Sequence, residues 1–162
     1  MIPKSIDGLP LHPLVIHATV VLLPLTALVL LLAGVWPRAR RYFHAAPLVL
    51  SVLSALLLGV TYQTGNNLRA EIGTTPLIAR HEHLAHQLAI PVLGMVLASF
   101  VVEIVRRQGN RDQQPVRADS GSTVLVVIAA VLAVVFAVGT AVQTARVGEA
   151  GARAVWGHTI SN

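Results

Sequence analysis

The chain of 162 residues has no cysteine. That excludes disulfides, covalent attachment of a c-type haem, and thiolate metal ligands. Aromatic residues are scarce at 4%, and charged residues reach only 12%, about half the ~25% usual in a soluble domain. Acidic residues number seven against twelve lysines and arginines, for a net charge of +5. The basic residues sit in short segments between apolar runs and form no stripe interleaved with aromatics. Membrane topology selects that placement, so no nucleic-acid partner is expected.

What fills the chain is apolar, at 54% of residues. Four runs, at about residues 13–36, 45–62, 84–105 and 123–142, approach or exceed the roughly 20 helical residues that cross a hydrocarbon core. The first outlasts the ~7–15 apolar residues of a signal peptide and precedes no small-residue cleavage site, so it reads as a retained helix. The expectation is an all-α, polytopic membrane protein, a single integral domain over residues 1–162 with the lipid bilayer as its first partner. Short connections predict an antiparallel four-helix bundle.

The connections carry the orientation signal. Arg38, Arg40 and Arg41 lie in the first, and Arg106, Arg107, Arg111 and Arg117 in the third. Lys4, Arg69, Arg80, Arg146 and Arg153 are spread over the longer remainder. Positive charge marks the cytoplasmic side, which places both termini outside. Residues 106–121 read as a flexible cytoplasmic linker. Residues 64–82, with Gly65, Asn66, Asn67, Gly73 and Pro76, read as an outer loop with a short amphipathic piece lying on the surface.

In that topology the polar residues of the runs gather in one layer. His17 lies about one turn inside the first run. Tyr62, Gln63 and Thr64 end the second, His83, His86 and Gln87 open the third, and Thr140, Gln143 and Thr144 end the fourth. Six of the seven histidines (His12, His17, His81, His83, His86 and His158) fall on that side, while His44 flanks the first basic connection. Polar groups inside a membrane usually face a bundle interior or water. Neutral imidazole ligates zinc, copper and haem iron. His83 and His86, three apart, share a helical face. His81 is expected just before the helix, and His12 and His17, five apart across Pro13, are expected on different faces.

The opening His12-Pro13-Leu14-Val15-Ile16-His17 resembles the HPxxVH start of the bacterial domain-of-unknown-function 2231 membrane family. The stretch Thr64-Gly65-Asn66 before a histidine-bearing helix and the tail from Gly151 through Trp156-Gly157-His158 are similar to that family as well. Ala18 stands where the family usually has an aromatic, and the order of the tail differs. The resemblance implies a four-helix bundle with histidines grouped at one end, in the plasma membrane of a bacterium, and no particular activity.

Three functions from different classes fit these residues. In the first, the bundle holds b-type haem for electron transfer with a redox or membrane-complex partner. His17 and His86 then supply the axial ligands, and Arg69, Arg80 or Arg153 pairs with the propionates. In the second, zinc or copper is bound by His12, His81, His83 and His158, with His17, His86, Glu71 and Glu82 nearby. In the third, the chain is a scaffold or accessory subunit without a cofactor. Catalysis by the chain alone is not expected. His81-Glu82-His83 breaks the HExxH spacing of a metalloprotease, and no nucleophile is placed with a base and an orienting carboxylate.

Overall fold

The computed structural model describes residues 5–6, 8–111 and 120–156. A small hairpin comes first, β1 (Ser5–Ile6) pairing antiparallel with β2 (Leu9–Pro10) through a turn at Gly8. Five helices follow: α1 (Leu11–Val35), α2 (Pro37–Phe43), α3 (Ala46–Ile72), α4 (Pro76–Arg111) and α5 (Ser120–Trp156). All but α2 are long and apolar enough to cross a membrane, and together they form the expected four-helix bundle.

The helices outrun the apolar runs. Residues 64–82, expected as a loop on the surface, are instead the end of α3, a turn at 73–75 and the start of α4. Gly73 stops α3 with φ +83°, a left-handed conformation that glycine adopts without strain. Thr75 accepts a hydrogen bond from the Ile78 amide at 3.3 Å, and Pro76 occupies the first turn, where its missing N–H costs nothing. His81 therefore sits inside α4 rather than ahead of it. Likewise α5 continues through Trp156, and α4 takes in the first residues of the expected 106–121 linker. Hydropathy reports only the membrane-buried part of a helix. α3 runs on through Gly65, Asn66 and Asn67, and at Gly65 its backbone lies against the His12 ring of α1.

In the bundle α1 packs on α3 and α5, and α4 packs on the same two helices, while α1 and α4 touch each other little. These two therefore stand diagonally opposed. Lipid is as apolar as leucine, so close packing and hydrogen bonds must hold membrane helices together. Gly34 of α1 lies against α5 so closely that a β-carbon there would come within 2.3 Å of the Ala133 Cβ. Gly94 of α4 receives the Phe136 ring, 2.0 Å from such a β-carbon. Leu23, Leu30, Val92, Met95 and Ala129 fill the buried centre. Thr26 and Ser54 join α1 to α3 by a buried hydrogen bond of 2.9 Å.

At the far end from the histidine layer, Arg40 of α2 is buried and donates to the Ala33 and Gly34 carbonyls at 2.9 and 2.7 Å. It thus satisfies acceptors that the end of α1 leaves open. Burial pushes the Arg40 pKa down. Glu103 of α4 is buried and paired with Arg106 and Arg107 at 2.6 Å each.

Candidate functional site

The first turns of α1 and α4 and the last turns of α3 and α5 line an open-sided cavity of about 450 Å3. Much of its wall is aliphatic, including Ile16, Leu23, Leu58, Leu88 and Val147. Four histidines line it, two from each diagonal helix: His12 and His17 from α1, His81 and His86 from α4.

Hydrogen bonds fix the proton on three of these rings. His12 Nδ1 lies 3.1 Å from Thr64 Oγ1. Thr64 already donates its hydroxyl hydrogen to the Thr61 carbonyl at 3.0 Å, so it accepts here and His12 donates. His81 Nδ1 donates to the Val147 carbonyl at 3.1 Å, and His17 Nδ1 to the Pro13 carbonyl of its own helix at 2.5 Å. A carbonyl has no hydrogen to give, so each ring, when neutral, carries its proton on Nδ1 and a lone pair on Nε2. His86 makes a tilted ring contact with Tyr62 at 5.4 Å.

Two glycines make room for imidazoles. A β-carbon on Gly65 of α3 would stand 3.0 Å from Cε1 of His12, and one on Gly151 of α5 3.1 Å from Cε1 of His81. Each of these rings thus lies against the backbone of a neighbouring helix. Both are half-buried, whereas His17 and His86 are exposed.

Around the imidazoles the polar groups are mostly partnered. Thr19 and Thr61 share a hydrogen bond of 2.7 Å. Tyr62 donates to the Ala85 carbonyl at 2.5 Å. Arg69, on the wall, pairs with Glu82 at 3.0 Å across α3 and α4. Thr144 is the exception, for its Oγ1 is buried on the cavity wall with no hydrogen-bond partner among the described residues.

Of the residues singled out in the sequence, His12, His17, His81, His86 and Arg69 meet at this cavity. His83 and Arg80 are exposed and lie off its wall, and His158 lies outside the described residues. Among the described residues, no group of three or more histidine, cysteine or acidic side chains is placed to hold a metal ion. Sequence reasoning missed Gly65 and Gly151 as imidazole supports. Their spacing of 53 and 70 residues from His12 and His81 reflects helix pairing that no local pattern reports.

No curated protein and no solved structure matches the chain. Residues 8–162 match the family described as "Predicted membrane protein (DUF2231)", a match that takes in all four long helices and every histidine of the cavity. The chain is a multi-pass membrane protein belonging to the DUF2231 family.

Proposed function

We propose that this chain binds b-type haem in the cavity at the histidine end of its bundle and serves electron transfer in the membrane. The observation that carries the proposal is the presence, on one apolar-walled cavity, of imidazoles from diagonally opposed helices whose Nδ1 protons are committed and whose Nε2 lone pairs are available. A bis-ligated haem needs two such nitrogens on opposing helices with an apolar slot between them. A structural zinc site takes four protein ligands and a catalytic one three, a demand that the described residues meet less well. The volume falls in the ~300–1,000 Å3 range of ligand pockets.

When bound, haem supplies a one-electron ferric/ferrous couple. The chain's own residues would hold such a group through imidazole and shield it with aliphatic walls, and Arg69 would have to exchange its pairing with Glu82 to meet an acidic group there. In this reading the chain is a redox carrier or accessory subunit rather than an enzyme by itself.

The proposed setting is the plasma membrane of a bacterium, with the helices antiparallel and both termini outside the cytoplasm. The pairing of Thr19 with Thr61 and of Thr26 with Ser54 supports the antiparallel arrangement of α1 and α3. The arginines of the first connection and of the end of α4 support the orientation. A reporter fused after Asn162 is expected to be active outside the cytoplasm, and a cytoplasmic signal would reverse the orientation.

Haem quantitation on the detergent-purified protein, expressed with haem available, tests the function alongside elemental analysis. One b-type haem per chain is expected. Stoichiometric zinc or copper without haem would replace the proposal with a metal site, and neither would leave the accessory-subunit reading in its place.

A further inference from the structure

We propose that His12 and His81, rather than His17 and His86, are the paired ligands of the haem iron, held in position by Thr64, Val147, Gly65 and Gly151. The assignment rests on the haem reading above and goes beyond it in naming the ligating atoms and the residues that aim them.

Both pairs draw one imidazole from α1 and one from α4, so diagonal placement alone does not choose between them. Orientation does. His12 and His81 are each tied through Nδ1 to a different helix, His12 to Thr64 of α3 and His81 to Val147 of α5. Histidine ligands commonly donate their other ring nitrogen to an oxygen acceptor, which fixes the tautomer and the ring plane. His17 is tied only to the Pro13 carbonyl four residues back on its own helix. His86 has no hydrogen bond to its ring among the described residues, only the contact with Tyr62.

The glycines supply the second, independent observation. Among the described residues, Gly65 and Gly151 are the two glycines that lie against imidazole rings, and they lie against those of His12 and His81. A β-carbon at either position would force its ring to move by a few tenths of an ångström. The rings are thus restrained from one side by helix backbone and along one edge by a hydrogen bond, with Nε2 as the uncommitted nitrogen. The two halves of the site are alike: a histidine in an early turn of one helix, an oxygen acceptor on the neighbouring helix, and a glycine one or four residues beyond that acceptor.

The test is haem content and the reduced spectrum in a panel of purified full-length variants. His12→Ala and His81→Ala are expected to lose haem almost completely, while His17→Ala and His86→Ala, which trim the cavity wall, are expected to lose much less and to keep the wild-type reduced spectrum. Thr64→Val, which removes the acceptor but not the ligand, is expected to weaken haem retention about 10–100-fold. His81→Met guards against misfolding as the cause of loss. It is expected to retain haem with an altered reduced spectrum and a raised midpoint potential, as a His/Met ligand set requires. Full haem and an unchanged spectrum in His12→Ala/His81→Ala would overturn this assignment and leave the haem reading standing. A wild-type protein without haem would overturn both.

Discussion

Gly65 of α3 stands beneath the His12 ring of α1, so close that a β-carbon there would come 3.0 Å from the imidazole Cε1. A mid-helix glycine costs up to about 1 kcal/mol relative to alanine. At this position the contact with the ring accounts for it, and the same relation recurs between Gly151 and His81.

Gly65→Ala and Gly151→Ala are therefore expected to reduce haem retention without unfolding the bundle, since the ring must give way by only a few tenths of an ångström. Gly59→Ala is the control. No atom lies within 4 Å of a β-carbon at Gly59, so haem content stays at the wild-type level. Haem content equal across all three variants would show that the glycines do not position the imidazoles.

Packing in the middle of the bundle makes a separate prediction. Gly94→Ala drives a methyl group into the Phe136 ring, whose Cδ1 lies 2.0 Å from the new atom. Overpacking of this kind costs about 1–3 kcal/mol. Thermal unfolding in detergent is expected to show a lowered midpoint for Gly94→Ala. The double variant Gly94→Ala/Phe136→Leu is expected to recover part of the loss. No change in the first variant would mean that α4 and α5 leave room for a methyl group beside Phe136.

Arg40 holds the end of α1 without a carboxylate partner among the described residues. Arg40→Leu leaves the Ala33 and Gly34 carbonyls without their donor, at about 1–3 kcal/mol for each buried acceptor left unpaired. Arg40→Lys loses the forked geometry and is expected to fall between. A melting series of wild type, Lys and Leu in that order checks the prediction, and equal stability of all three would reduce Arg40 to a topology signal.

Glu103 of α4 is shared by two arginines of unlike exposure, Arg106 at 17% and Arg107 at 68%. Exposed ion pairs contribute about 0–1 kcal/mol, so Arg107→Ala is expected to leave the melting midpoint nearly unchanged. Arg106→Ala breaks a two-pronged pair with a buried carboxylate and is expected to lower it more. The reverse order would place the stabilising contact on the wrong arginine.

Much of this fold is legible in the residue order, for identifiable reasons. Four apolar runs and arginine-rich connections specify the helices, because a bilayer demands continuous apolar helix. Residues 64–82 read as a loop because Asn66 and Asn67 lower local hydropathy, whereas α3 runs on through them with its Gly65 backbone against the His12 ring. The convergence of His12, His17, His81 and His86 was visible once the runs were folded back on one another. What could not be read was which imidazoles are aimed. That depends on Thr64, Val147, Gly65 and Gly151, residues distant in sequence and unremarkable in type.

The decisive measurement is the reduced-minus-oxidised visible spectrum of the purified wild-type chain. Ligation of one haem iron by two imidazoles predicts sharp α and β bands on reduction, at an intensity of one haem per chain, lost together in His12→Ala/His81→Ala. A featureless spectrum from protein made with haem available would contradict it.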